Sequence, residues 1–279
     1  MQMKHVQIDF LEEKAREIRR DLITMIYKAK DGHPAPSLSA ADIITALYFG
    51  VMNIRPSEPL WSERDRFILS KGHACPALYA ALARRGYFST DHFSTLRKFG
   101  SILQGHPDMN KTPGIDMNAG SLGNGLSIGF GMAMAAKIKN SSYRTYVLCG
   151  DGELGEGIIW EAALSVAKYK LSNLTLIVDY NGFQSGGLAS DVGGLVKLAE
   201  KWEAFGFNVI QIDGNDMNAV MQAFNEALKY TEGPSAIIAH TIKGKGVPYM
   251  ENDNAWHKGF ITDEYFKKAM IALGGDCDA

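Results

Sequence analysis

The chain has 279 residues, 46% hydrophobic and 22% charged, a balance that fits one large soluble unit with a dry core. Its 29 basic and 31 acidic residues leave a formal charge of −2, which excludes a basic stripe for nucleic acid or a polybasic membrane patch. Residues 1–9 lack the layout of a signal peptide, no apolar run approaches the roughly 20 residues that span a bilayer, and Cys75, Cys149 and Cys277 form no C-x-x-C pair, so reduced thiols in a cytoplasmic protein are expected.

In chain order, residues 1–30 read as a helix, because Ile18, Leu22, Ile23, Ile26 and Tyr27 share one face and Asp31-Gly32 supplies a stop. Ser39-Ala-Ala-Asp42 has the form of a capping box and predicts a second helix from there through Leu47 and Tyr48. Residues 66–69 read as a short strand and 77–85 as a helix. After a Gly-, Pro- and Asn-rich stretch over 105–125, the small residues Gly129, Gly131, Ala133 and Ala135 predict a helix over 125–136 able to approach a sheet closely. Strands at 145–149, 174–179, 207–213 and 235–240 then alternate with helices at 157–169, 195–204 and 217–229, and a last helix spans 263–272. Such alternation predicts βαβ units, hence a three-layer α/β/α fold with a mostly parallel sheet. With no repeat, low-complexity run or linker, one domain over 1–279 is expected.

In such sheets ligands sit at the carboxyl ends of the strands. The strand at 145–149 runs into Gly150-Asp151-Gly152-Glu153-Leu154-Gly155, a literal G-x-G-x-x-G, and Asp179 follows 24 residues after Gly155. By pattern alone this is a dinucleotide-binding site. Charge argues against it. Asp151 lies inside the loop with Glu153 and Glu156 behind it, and a diphosphate laid there would meet carboxylates unless a hard divalent cation lay between them. Asn181, 30 residues after Asp151, is one βαβ crossover away and would reach the same sheet edge. The plainer reading is a helix-capping Asp and a turn Asn. Three of the seven histidines also follow glycine: Gly32-His33-Pro34, Lys71-Gly72-His73 and Gly105-His106-Pro107. Glycine there lets backbone approach a ligand while the imidazole reaches into a cleft. Their spacings of 40 and 33 residues match no zinc motif.

Gly150-Asp151-Gly152 followed by Asn181 resembles the thiamine diphosphate motif, which decarboxylases and dehydrogenases share. The remaining segments resemble transketolase almost end to end. They are Gly-His-Pro at 32–34, Ser-Lys-Gly-His at 70–73, Gly-His-Pro at 105–107, Gly-Ser-Leu-Gly at 120–123 and Thr-Ile-Lys-Gly-Lys-Gly at 241–246 before Trp256-His257. The resemblance implies the diphosphate-binding domain of that fold, loaded with thiamine diphosphate and magnesium, for which calcium or manganese can substitute. It implies metal ligands at Asp151, Asn181 and the Phe183 carbonyl. Gly120, Ser121 and Leu122 would lie at the cofactor's rings, Gly150, Gly152 and Glu153 along its diphosphate loop, and Lys243 against its phosphates. Of four catalytic histidines, His33 and His106 would face the donor's hydroxyls, while His73 and His257 would lie at the diphosphate and the reacting carbon. Glu156 and Glu161 match acids that meet their counterparts across the dimer interface. One departure stands out. After Asn181-Gly-Phe-Gln184 the family carries an apolar residue, an acid and glycine, whereas this chain has Ser185-Gly186-Gly187, so the wall on the thiazolium and the substrate preference come into question.

Transketolases also need an acid at the aminopyrimidine and groups for the sugar phosphate, both in a following domain. No second αβ set follows Ala272, so the expectation is the diphosphate-binding subunit of a split transketolase, transferring a two-carbon ketol unit from a ketose to an aldose. Its partner would be a second subunit carrying the pyrimidine-binding and C-terminal domains, assembled two of each, with sugar phosphates as substrates. The alternatives are the equivalent part of a deoxyxylulose-phosphate synthase or ketoacid dehydrogenase, or a non-catalytic cofactor-binding assembly partner.

Overall fold

The computed structural model describes residues 6–193 and 196–276, so Cys277 lies outside the described residues. Helix α1 (Ile8–Ala29) buries Leu11, Ala15, Ile18, Leu22 and Ile26 at helical spacing and ends where Lys30 turns left-handed. Helix α2 (Pro34–Ala46) starts five residues before the expected capping box. Pro34 sits at its first position, where the missing N–H costs nothing and the fixed φ suits a helix. Ser39 is therefore inside the helix, and its hydroxyl turns to Asp179 instead of capping. All 13 residues of α2 are buried, and a π turn, Leu47–Val51, continues it.

The sheet follows the expected alternation closely. Strand β1 (Arg66–Leu69), helix α3 (Cys75–Arg85), helix α4 (Asn124–Lys139), strand β2 (Thr145–Gly150), helix α5 (Gly157–Lys168) and strand β3 (Leu174–Tyr180) come first. A small antiparallel hairpin then follows, β4 (Phe183–Gln184) with β5 (Gly187–Leu188), and a short helix α6 (Ala189–Gly193). Sequence patterning did not indicate either one. Helix α7 (Leu198–Ala204), strand β6 (Asn208–Asp213), helix α8 (Met217–Lys229), strand β7 (Ser235–His240) and helix α9 (Asp263–Ala272) complete the order. The expected helix at 195–204 is seen from Leu198, its first residue Leu195 lying outside the described residues.

The five long strands pair in the order β1-β2-β3-β7-β6, all parallel. Alternate residues feed two cores, as the strand period of two requires. Phe67, Leu69, Tyr146, Leu148, Ile177 and Ile237 face the helices α1, α2, α3, α8 and α9. Ile68, Val147, Cys149, Leu176, Val178 and Ile238 face α4, α5 and α7. The small residues of α4 do what their size allows: a Cβ on Gly129 would lie 2.5 Å from Val147. Buried polar ties hold the first core in register. Arg19 of α1 forks onto both oxygens of Asp42 in α2 at 2.9 and 2.7 Å, and its Nε donates to the Lys245 carbonyl at 3.1 Å. No helix among the described residues is long and apolar enough to cross a membrane.

Candidate active site

The strand register puts the ends of β2 and β3 side by side, with Gly150 opposite Asp179. Beyond those ends, Asp151 Oδ1 accepts from the Gly152 N–H at 2.8 Å and Oδ2 from the Gly182 N–H at 2.6 Å. Asn181 is adjacent to Gly182, and its Oδ1 accepts from the Phe183 N–H at 3.1 Å. Spacing of one crossover therefore does bring Asp151 and Asn181 to one place. Asp151 is 2% exposed, and burial, then the nearby Asp179 carboxylate, push its pKa up to about 6. Gly152 is required by crowding, since a Cβ there would fall 2.5 Å from Gln184 Cβ.

A buried layer lies beneath this loop. Asp179 accepts from Ser39 Oγ at 2.6 Å, from Thr241 Oγ1 and from the Lys71 ammonium, all buried. Glu153 accepts from Ser70 Oγ, from the Gly123 N–H at 2.7 Å and from the Gly150 N–H at 3.1 Å. Both Glu153 oxygens are thus taken up inside the protein, where they pin the 120–125 turn to the Gly150 loop.

Across the cleft three imidazoles form a triangle. The ring centres of His33 and His73 lie 5.1 Å apart, those of His33 and His257 5.7 Å, and those of His73 and His257 5.4 Å. His106 stands near Gly120, 3.8 Å from the position a Cβ would take there. Burial, reinforced by neighbouring cations, lowers all four: His33 and His257 to about 4, His73 well below its ordinary value, and His106 downwards. They are neutral near pH 7 and able to accept as well as donate. Lys243, 1% exposed, donates from Nζ to Asn254 Oδ1 at 2.6 Å and to His257 Nδ1 at 3.0 Å. Burial and the Lys71 charge bring its pKa down to about 8.

These groups border one cleft of about 380 Å³, the size of a small-molecule site. It is lined by the four histidines, Gly120 and Leu122, the Gly150–Glu153 loop, Asn181, Phe183 and Lys243. A sequence-family model described as "Transketolase, thiamine diphosphate binding domain" matches residues 11–279. The chain belongs to the transketolase family. It is 44% identical over 265 residues to an apulose-4-phosphate transketolase subunit of Phocaeicola vulgatus, covering 95% of this chain and 94% of that one. It is 42% identical to the 6-deoxy-6-sulfo-D-fructose transketolase subunit SqwG of a Clostridium species, covering 97% and 98%. Among solved structures, transketolase from Campylobacter jejuni superposes with a TM-score of 0.91 at 34% identity, over 98% of this chain and 44% of that one. The chain thus spans less than half of the solved transketolases that it matches and nearly the whole of the relatives named as subunits.

The donor set fits thiamine diphosphate held through a hard divalent cation. Among the described residues no three His, Cys, Asp or Glu side chains gather into a metal-ligating group. One carboxylate, one amide and a carbonyl are instead the partial set of a hard cation that shares its remaining positions with a ligand's oxygens. Of seven buried side-chain polar atoms without a hydrogen-bond partner among the described residues, two, His33 Nδ1 and Gln184 Nε2, belong to cleft residues, where a ligand can supply the partner. Ser121, Glu156 and Glu161 lie outside the cleft lining and are exposed, the last two on or just before α5. Sequence reasoning passed over Lys71, Gln184 and Val192, which also line the cleft. Lys71 sits inside the Ser-Lys-Gly-His segment, so its signal was present; Val192 became visible only through the hairpin.

Proposed function

We propose that this chain is the diphosphate-binding subunit of a two-chain transketolase that moves a two-carbon ketol unit from a ketose to an aldose. The observation that carries this reading is the placement of Asp151 and Asn181 in the same cleft as four neutral histidines. When bound, thiamine diphosphate supplies the carbon nucleophile that takes up and releases the two-carbon unit. Asp151, Asn181 and the Phe183 carbonyl would hold magnesium, while Lys243 would neutralise the diphosphate and His73 would orient it by hydrogen bonding. His33 and His106, being uncharged, would hold the ketose hydroxyls as acceptors or donors without repelling the magnesium. His257 would stand at the reacting end. Gly120 and Leu122 would border the cofactor's rings. The layer of Asp179, Lys71 and Glu153 keeps the Gly150 loop rigid under this load.

The whole of residues 1–279 is taken as one such domain. The names of its relatives, subunits that match it over nearly their full length, support a second, different subunit carrying the aminopyrimidine acid. Two of each chain is the assembly favoured, with Glu156 and Glu161 meeting their counterparts across an interface. Sugar phosphates in the cytoplasm are the expected substrates, in the pentose phosphate pathway or a more specialised one. The test is a ketol-transfer assay of the purified chain, with saturating magnesium and cofactor, without and with the second subunit. Transfer only in its presence is expected. Substantial turnover by the chain alone would overturn the two-chain reading.

A further inference from the structure

Ser185 occupies the position where the family motif carries an apolar residue, yet its setting is polar. The Lys243 ammonium can only donate, so His257 Nδ1, 3.0 Å away, is an acceptor and the proton of the neutral ring sits on Nε2. That Nε2–H faces Ser185 Oγ at 3.3 Å. The Ser185 main chain is fixed by the same cluster, because Asn254 Nδ2 donates to the Gln184 and Ser185 carbonyls at 3.1 and 3.3 Å. Its hydroxyl accepts from His257, and its own proton has no acceptor among the described residues, on a side chain that is exposed and lines the cleft. The wall still has an apolar part. Val192 of α6 lies against the two glycines, with Cγ2 3.8 Å from where a Cβ on Gly186 or Gly187 would lie, and it lines the same cleft. A side chain seven residues further on thus supplies the hydrocarbon, and residue 185 is left free to be a hydroxyl.

We propose that Ser185 selects the donor: its O–H, oriented by His257, hydrogen-bonds a hydroxyl of the ketose, so this chain favours donors that present one there. The inference rests on the ketol-transfer reading above. A site built to bond a hydroxyl discriminates strongly against a sugar lacking it, whereas an apolar wall does not.

The test uses the complex with the second subunit, magnesium and thiamine diphosphate. The donors are D-xylulose 5-phosphate, D-fructose 6-phosphate and 6-deoxy-6-sulfo-D-fructose, with ribose 5-phosphate as acceptor. Ser185→Ala and Ser185→Ile should lower kcat/KM for the best donor by about tenfold, the usual size of one lost polar contact, and alter the ratios among donors. Ser185→Thr, which keeps the hydroxyl, should recover most of the loss, while the cofactor dissociation constant stays within about twofold of wild type. Nitrogen NMR of His257 should report a proton on Nε2. Unchanged donor ratios in an active enzyme, equal losses for all donors alongside weaker cofactor binding, or a proton on Nδ1 would each overturn the proposal. Absence of transfer from every ketose in wild type would fell the ketol-transfer reading instead, and this inference with it.

Discussion

The floor of the cleft and its rim are built from the same residue types and behave in opposite ways. On the floor, Asp179 has a cation and two hydroxyls, and Glu153 has a hydroxyl and two backbone N–H groups. On the rim, Asp151 has two backbone N–H groups and, among the described residues, no cation bonded to it; burial raises its pKa to about 6, as it also raises that of Glu153. His33 keeps an unpartnered buried nitrogen. Within this cleft, the satisfied groups fix geometry, and the unsatisfied ones are those a ligand can reach. Asp151, which lines the cleft with two donors, is therefore open to a ligand, whereas Asp179 and Glu153, with three donors each, are scaffold.

Substitutions can break this contrast. The largest effect is expected on the floor: Asp179→Ala strands the Lys71 ammonium in a dry site and should cost about 3–5 kcal/mol in urea unfolding. On the rim, Asp151→Asn should weaken cofactor binding by about 100-fold or more, since the proposed metal would lose its one charged protein ligand, while leaving the apoprotein folded. The sign of its stability effect sharpens the point. Because the folded pKa lies above the ordinary 3.8, the folded state holds that proton more tightly, and stability from this group declines as pH rises from about 4 through 6. Apo Asp151→Asn should consequently be as stable as wild type or more so at pH 7, by on the order of 1–3 kcal/mol, and the gain should vanish near pH 4. A destabilised Asn variant would place Asp151 with the floor.

Smaller effects follow from protonation. Cofactor affinity should be highest between about pH 6, where Asp151 sheds its proton, and about pH 8, where free Lys243 begins to lose its charge. Outside that window calorimetry should show a decline of about tenfold per pH unit. His106→Ala and His33→Ala should reduce turnover with the ketose by about 5- to 150-fold with little change in cofactor affinity. His73→Ala and His257→Ala should weaken both. Equal loss of cofactor in all four would erase the division of roles. The least movement is expected in the ring shifts of His33, which titrates near 4 and should stay constant from pH 8 to 6.

Much of this was legible in the residues themselves. Strand and helix order followed from periodicity because β2, β3 and β7 are central strands buried on both faces, and Gly150-Asp151-Gly152 with Asn181 followed from one crossover length. The start of α2 was misplaced because Ser39 and Asp42 imitate a cap, while the real start rests on Pro34. Both imitators are employed elsewhere: Ser39 on Asp179, and Asp42 on Arg19 and Asn215. Such partners, 140 and 173 residues away from Ser39 and Asp42 respectively, leave no local trace. Glu153 looked like part of a ligand loop, because the sequence shows its place in Gly-Asp-Gly-Glu and not the three donors that occupy it. The 185–192 wall was seen only as a deficit, since the hairpin that lets Val192 supply the hydrocarbon depends on two glycines with no periodicity to announce it.

The long-range anchoring of α1 has a consequence for how the protein is made. Arg19 is tied to the Lys245 carbonyl and Arg20 to the Leu273 carbonyl, 226 and 253 residues later. At ordinary rates of about 5–20 residues per second, a ribosome takes roughly 13–50 s to travel from Arg20 to Leu273. Throughout that interval α1 is without some of its final neighbours. Packing on α2 and α3 can form early, whereas the ties to Lys245 and Leu273 form only when those residues emerge, so chaperone occupancy should fall fully only near the end of translation.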